Sequence, residues 1–348
     1  MDQVILGIES SCDETAAAVV VGGHDVRSNI IATQHDLHER FDGVVPELAS
    51  RAHLERIGPV IESAVREAGI SLGDIDAIAV SYQPGLIGSL LTGVAAAKSL
   101  AWSLQKPLVG VDHLHAHLWS PCLGSHELEC PALGLVISGG HTTLSHMQDP
   151  LHLELLGHTI DDAIGEAFDK AAVLLGLGWP GGAAIDALAE HGDESAVDFP
   201  VARLDPDSLD FSYSGLKTSL LHAVRGQPVG RGAEAHFERD ASDLDEQRRR
   251  DLAASFQRAA VEAVRLKVER ALDRHEACSL VVGGGVSANR RVRRVLGKMC
   301  EERGLELRLP ALDYCMDNAA MIAGLAHPLL EAGLVSDSTL SAHARSRT

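Results

Sequence analysis

The stretch VDHLHAH (111–117) carries histidines at positions 113, 115 and 117. On a helix, His113 and His117 share a face one turn apart and can grip one metal ion, while His115 turns elsewhere. On a strand all three would share a face. Two histidines need a further ligand from afar, typically a carboxylate. The best distant candidate is Asp317 in DYCMDNAAM (313–321), where Asp317 and Asn318 open an apolar helical segment. A surface or capping role for the histidines is the competing reading.

Four other stretches can carry chemistry. SSCDET (10–15) places hydroxyls and the carboxylates Asp13 and Glu14 directly after an apolar run, which suits a phosphate or a metal-linked phosphate. SGGHTT (138–143) has paired glycines whose N–H groups can approach an anion closely. GGGVSANRR (283–291) brings backbone close to something flat or anionic, and Asn289 can hydrogen-bond a base or ribose. It is neither GxGxxG with an acidic partner nor a phosphate loop ending in GKS or GKT. GWPGGAAID (178–186) forces a turn and offers Asp186 to a ligand hydroxyl. Taken singly, each of the four also reads as a plain turn between elements.

The elements that must hold these residues alternate. Residues 4–9 and 16–21 are apolar, β-branched runs joined by a polar turn, a strand–loop–strand unit. Residues 75–80 and 108–111 are further strands, with helical composition over 90–104 between them. A second block opens near Pro131: a strand over 133–137 ending in SGGHTT, a return strand over 142–147, a helix over 160–175, and a strand over 280–282 leading into GGGVSANRR. The two halves share a loose plan of strand, polar turn and continuation. Residues 225–250 are polar and charged, a long loop or insertion. A helical stripe then runs through Phe256, Ala260, Val264, Val268 and Leu272, and 336–348 is expected to fray as a flexible tail.

The 348 residues suggest two domains, with 45% hydrophobic and 23% charged residues. A net charge of −19 argues against broad nucleic-acid binding, and aromatics at 3% argue against a stacking platform for single strands. The six cysteines form no CxxC pair, so free thiols in a reducing, cytoplasmic setting are expected. No basic leader is visible, and 86–97, interrupted by Gly88, Ser89, Thr92 and Gly93, is short of a membrane span; no membrane association is expected.

ILGIESSCDET, VDHLHAH, VISGGHTT, EAFDKAA, WPGG, FSYSGLKTSL, GGGVSANRR and DYCMDNAAMIA occur together and in this order. That set resembles the bacterial TsaD family of tRNA N6-adenosine threonylcarbamoyltransferases, once described as O-sialoglycoprotein endopeptidases. The resemblance runs from about Ile5 to Ala323. It implies an α/β fold with the two lobes of the actin/sugar-kinase/Hsp70 ATPases. The N-terminal lobe would be 1–125, completed by about 312–335, and the C-terminal lobe 126–311. It implies transfer of L-threonylcarbamoyl from threonylcarbamoyl-AMP to N6 of adenosine 37 in tRNAs reading ANN codons, with AMP released. By the same resemblance, His113, His117 and Asp317 match ligands of one divalent metal, iron or zinc. Ile137, Ser138, Gly139, Gly140, His141, Asp169, Gly182, Asp186 and Asn289 match contacts to the nucleotide intermediate. Asp13 and Glu14 match an acidic pair needed for activity. Implied partners are tRNA, a smaller paralogous TsaB-like subunit, a TsaE-like ATPase subunit and an upstream threonylcarbamoyl-AMP synthase. His115-Ala116 stands where Glu-Gly is common in the family, and HARSRT lacks its usual ending.

A zinc peptidase is disfavoured because HLHAH lacks the glutamate of HExxH. A small-molecule kinase of the same fold needs only Mg²⁺ with phosphates and would leave the histidines unexplained. A non-catalytic paralogue would not be expected to keep the metal triad. Charge of −19 sits awkwardly with a tRNA substrate. Either the basic run Arg290, Arg291, Arg293, Arg294 and Lys298, with Arg248–Arg250, forms a local patch, or partner subunits supply the basic surface.

Overall fold

In the computed structural model, all residues are described except 1, 42, 125–127, 203, 206, 231–235 and 347–348. The first sheet has the order β3-β2-β1-β4-β5. It is built from β1 (Val4–Glu9), β2 (Glu14–Val21), β3 (Asp25–Thr33), β4 (Ala77–Gln83) and β5 (Leu108–Asp112). β2 pairs antiparallel with β1 and β3, whereas β4 runs parallel to β1 and β5. Alternation decides which face each residue meets. Ile5, Ala16, Ala18 and Val20 enter one core; Leu6, Ile8, Ala17 and Val19 enter another. Both faces are covered, which explains the unbroken apolar runs of β1 and β2.

α1 (His35–His38) follows β3 as a single turn, and α2 (Pro46–Glu67) and α3 (Ile87–Leu104) cover one face of the sheet. Among the described residues α3 is long and apolar enough to cross a membrane, contrary to the shorter run expected; its Leu90, Val94, Ala97 and Ala101 side is buried on the sheet. The other face meets α4 (His113–Trp119) and α10 (Ala319–Glu331). Met321, Ile322 and Leu325 of α10 are fully buried there, each contributing roughly 1.5–3 kcal/mol relative to exposure.

The second sheet repeats the plan. β6 (Ala132–Ile137), β7 (Thr142–Asp149), β8 (His152–His158), β9 (Ser279–Gly283) and β10 (Glu306–Arg308) take the order β10-β9-β6-β7-β8. β6, β7 and β8 form the antiparallel meander, and β9 and β10 add in parallel. One face packs on α5 (Ile164–Leu174), α6 (Gly181–Ala189), α7 (Ser214–Arg225), α8 (Glu246–Leu272) and α9 (Arg290–Arg303). The other supplies Ala132, Val136 and Val281 to the core that already contains Ile5, Val109, α4 and α10. The histidine helix and the segment after Asp317 therefore lie between the two sheets.

Several elements differ from the sequence reading. The helix expected over 160–175 starts at Ile164, because Thr159 and Ile160 hydrogen-bond backbone groups of Thr142 and Phe211. Arg248–Arg250 lie on α8, and the loop before it spans 226–245; its residues 231–235 are outside the described set. The tail expected to fray is docked on the edge of the first sheet. Ser336 N donates to Leu108 O (2.7 Å), His343 N to Tyr82 O (2.9 Å) and Ser346 Oγ to Asp112 Oδ2 (2.7 Å). β5 is that edge, and its unpaired backbone groups recruit the passing chain.

Candidate metal and substrate site

β5 ends in Asp112, whose side chain starts α4 by accepting from Leu114 N (2.9 Å) and His115 N (3.1 Å). The helical phase then sets His113 and His117 on one side, ring centroids 4.6 Å apart and nearly perpendicular. His115 points away and hydrogen-bonds Pro150 O at 2.7 Å. Asp317 is held by its neighbour: Asn318 caps α10, accepting from Met321 N at 3.0 Å. Asp317 Oδ1 lies 3.1 Å from His117 Nε2 and 3.5 Å from His113 Nε2.

These three residues fit a metal ion. Their ligand atoms lie within 4.8 Å of one another, and both histidines are at least nine-tenths buried. Nitrogen and oxygen ligands about 2.0–2.2 Å from a zinc-like ion stand roughly 3–3.5 Å apart across a tetrahedral angle, the separation found here. A nitrogen–nitrogen–carboxylate donor set suits iron(II) and zinc alike. Burial alone would raise the Asp317 carboxyl, but His113 and His117 hold it well below the usual range. Burial lowers His117. His113 also loses hydration, yet Glu9 and Asp317 push it well above the ordinary imidazole value.

The turn of SSCDET sits against this cluster. Ser11 Oγ is 3.2 Å from His113 Nδ1, and Leu86 N donates to Ser11 O at 2.7 Å. Thr15 Oγ1 and Cys12 O hold opposite nitrogens of the buried His53, at 2.7 and 3.0 Å. Asp13 and Glu14 are 7% and 6% exposed. Burial, then the negative charges of Asp317 and Asp13, push Glu14 up to about 10. His35 Nε2 stands 3.7 Å from Glu14 Oε1 and makes an edge contact with Trp179.

Ile137 ends β6, and the turn after it is closed by Ser138 N donating to His141 O (2.8 Å) and His141 N donating to Ser138 Oγ (3.1 Å). Both glycines of that turn are open: a Cβ on Gly139 or Gly140 would meet nothing within 4 Å. Burial, with His113 and His117 nearby, lowers His141 to about 4. Gly182 is open in the same sense. Asp169 accepts from Gly181 N (2.7 Å), fixing the start of α6, and burial raises its carboxyl. Asp186 accepts from Gln257 Nε2 and Arg290 Nε, both at 2.8 Å, and Asn289 caps α9 by accepting from Val292 N at 3.0 Å.

The structure thus makes two groups of the residues singled out from sequence. His113, His117, Asp317, His141, Asp13 and Glu14 gather around α4. Asp169, Gly182, Asp186 and Asn289 gather where α5, α6 and α9 meet. Gly283 and Gly284 of GGGVSAN allow close backbone approach to His117 and Ile137. A Cβ on Gly283 would lie 2.2 Å from His117 O, and one on Gly284 (φ +91°) 2.4 Å from Ile137 O. Sequence reasoning missed Glu9, which is fully buried with Oε2 2.9 Å from His113 Nδ1. It also missed His35 and Trp179. An acidic residue closing an apolar strand was the available signal for Glu9.

A sequence model of TsaD, tRNA N6-adenosine threonylcarbamoyltransferase, matches residues 25–324. The chain belongs to the TsaD family. A tRNA N6-adenosine threonylcarbamoyltransferase of Clostridium perfringens is 45% identical over 340 residues, covering 98% of this chain and 96% of that protein. One of Symbiobacterium thermophilum is 48% identical, covering 97% and 95%. Among solved structures, T. kodakarensis HypF superposes with a TM-score of 0.60 at 16% identity, over 95% of this chain and 48% of that one. Component A of Acidaminococcus fermentans (R)-2-hydroxyglutaryl-CoA dehydratase gives 0.51 at 14%, over 94% and 98%. At these identities the likeness concerns fold alone, and the fold is that of the two-lobed actin/sugar-kinase/Hsp70 ATPases.

The basic run does not form a free patch in this TsaD chain. Arg290 pairs with Asp186 and Glu190, Arg291 with Glu194, and Lys298 lies 3.7 Å from Glu302. Arg293 donates to Ser287 O and Pro310 O. Arg290, Arg291 and Arg293 brace α9 against its neighbours and Lys298 pairs within α9, so most of the run is engaged inside the chain.

Proposed function

We propose that this site transfers L-threonylcarbamoyl from threonylcarbamoyl-AMP to N6 of adenosine 37 in tRNAs reading ANN codons. It is an acyl transfer. N6 attacks the carbonyl carbon, the carbonyl–phosphate C–O bond breaks, AMP leaves with the electron pair, and N6 loses a proton. The observation that carries this reading is the buried His113–His117–Asp317 cluster set beside the open glycine turn at 139–140.

His113, His117 and Asp317 would hold one divalent cation, iron or zinc, which would supply Lewis-acid polarisation and charge neutralisation. The N–H groups of Gly139 and Gly140 hold the phosphate, those of Ser138 and His141 being used to close the turn, and the absence of side chains at both glycines lets it approach. Asp169, Gly182, Asp186 and Asn289 line the adenosine end. An aryl amine is a weak nucleophile, so orientation matters most; fixing two reactants together is worth roughly 7–11 kcal/mol. Asp13 takes the N6 proton. Glu14, the other member of the acidic pair, lies buried beside Asp13 at the same turn.

Partners follow from the same reading. Ile87, Leu91 and Trp102 leave an apolar stripe on α3 that is 48%, 53% and 86% exposed, and this supports docking of a TsaB-like paralogous subunit. A TsaE-like ATPase and an upstream threonylcarbamoyl-AMP synthase complete the set, in the cytoplasm where tRNA is modified. With so acidic a chain, partner surfaces would contribute to gripping tRNA.

The test is single turnover with purified partners, threonylcarbamoyl-AMP and unmodified tRNA, following AMP release and modified adenosine together. Asp13→Asn is expected to bind threonylcarbamoyl-AMP normally and release no tRNA-dependent AMP. Full transfer by that variant would remove Asp13 from the mechanism.

A further inference from the structure

The two metal histidines are not equivalent. The Nε2 atoms of both face Asp317, but their remote nitrogens meet different surroundings. His117 Nδ1 is buried without a hydrogen-bond partner. His113 Nδ1 faces the carboxylate of Glu9, with Oε2 at 2.9 Å.

Glu9 is the last residue of β1 and has no exposed surface. Its other oxygen, Oε1, accepts from Ser11 N and from Ser81 Oγ (3.1 Å), so turn and neighbouring strand both fix the carboxylate. Ser81 in turn receives Ser10 N at 3.4 Å. Among the described residues no lysine or arginine side chain pairs with Glu9, and its ion-pairing partner is the imidazole of His113. A fully buried carboxylate is costly unless it is hydrogen-bonded and charge-compensated. Here the compensation comes through one imidazole ring, whose far nitrogen points into the metal cluster.

We propose that Glu9 is a positioning residue for the metal centre: it holds the proton of His113 on Nδ1, fixes the ring plane, and keeps Nε2 free and basic as the ligand atom. This inference rests on the reading of His113, His117 and Asp317 as a metal site. A carboxylate behind a ligating histidine sets its tautomer and strengthens it as a donor, and losing such a partner typically costs about 10–100-fold in metal affinity. Glu9 also ties this ligand to the SSCDET turn. Ser11 donates its N–H to Glu9 and its hydroxyl oxygen lies 3.2 Å from the same Nδ1 of His113, so ring, carboxylate and turn share one anchor. His117 has no such support, and its position is set by the backbone packing of α4 on Gly283 instead.

The test uses the full chain stripped of metal, with wild type, Glu9→Gln, Ser81→Ala and His117→Ala titrated with Zn²⁺ against a chromophoric chelator. The ligand-field spectrum is then recorded after loading with Co²⁺. Glu9→Gln keeps the shape of the side chain and removes the charge. The expected result is Zn²⁺ binding weakened about 10–100-fold with a shifted Co²⁺ spectrum, while the apo-protein melts within a few degrees of wild type. If Glu9→Gln does not fold, Ser81→Ala carries the test. It removes one support of the carboxylate and is expected to weaken Zn²⁺ binding several-fold with its apo melting temperature retained. Wild-type affinity and an unchanged Co²⁺ spectrum in a folded Glu9→Gln, or in Ser81→Ala where that stands in, overturn the proposal. His117→Ala separates the two readings. If it binds Zn²⁺ as tightly as wild type, the metal site itself is wrong; if it loses binding while Glu9→Gln does not, only the role of Glu9 fails.

Discussion

His117 Nε2 stands 3.1 Å from Asp317 Oδ1, although 200 residues separate them along the chain. The contact exists because α4 and α10 pack against each other between the two sheets. Removing either partner should leave the other a buried polar group without its ligand role. Purified His117→Ala and Asp317→Ala are expected to retain less than about a tenth of the wild-type metal content by elemental analysis. Metal also stabilises the native state by mass action, by about 2.7 kcal/mol at a hundredfold excess over Kd. Chelator should therefore lower the melting temperature of wild type and leave that of both variants unmoved.

Asp112 starts the histidine helix, and a helix of seven residues has little else to define where it begins. Asp112→Ala removes the cap to Leu114 and His115 together with the anchors for Gln83 and Ser346. The expected loss is about 1–2 kcal/mol in urea unfolding. Asp112→Asn, which can still accept the cap, should lose less.

Gly283→Ala places a methyl group on the carbonyl of His117. Either β9 or α4 must shift. Overpacking of this kind costs about 1–3 kcal/mol, and here it should also weaken metal binding, because the displaced carbonyl belongs to His117, a proposed ligand. A variant that is destabilised and binds metal as wild type would show that the site tolerates movement of α4.

Asp161 anchors the FSYSGLKTSL segment. Its carboxylate accepts from Ser212 Oγ, Tyr213 N (2.8 Å) and Ser214 Oγ (2.8 Å) at the start of α7. Burial would raise this carboxyl, but those hydrogen bonds outweigh it and hold the folded value below the ordinary one. The group is largely exposed, so its contribution is modest, about 1 kcal/mol. The stabilisation is fully present above the unfolded carboxylate value of about 3.9 and fades as pH falls through the lower folded value. The stability gap between wild type and Asp161→Asn should be constant from pH 7 to 5 and close below pH 4.

The candidate metal ligands are legible in the sequence because helical spacing converts His113 and His117 into one face, and because Asp317 precedes a recognisable helix cap at Asn318. The alternating β and α runs gave the two halves, and the two sheets do share one strand order. Elements with mixed composition were invisible. β3 is half-exposed, and α2 carries charge on most turns with Pro59 inside it, so neither has a clean period. Glu9 is marked in sequence only as an acidic residue closing an apolar strand; its meaning comes from His113, 104 positions away. Gly283 and Gly284 of GGGVSAN are needed for close approach to the His117 and Ile137 backbone, a requirement their spacing in the sequence does not reveal. The tail was misjudged because its partners are the edge of β5 and the cap of α4, which composition does not reveal.

The most direct measurement compares wild type with His113→Ala in a reconstituted reaction of presumed partners, threonylcarbamoyl-AMP and unmodified tRNA, with digested tRNA read by mass spectrometry. Threonylcarbamoyl-adenosine formed by wild type, and lowered at least about a hundredfold in His113→Ala, is the predicted result. Equal product from both proteins would contradict the placement of the metal cluster at the reacting centre.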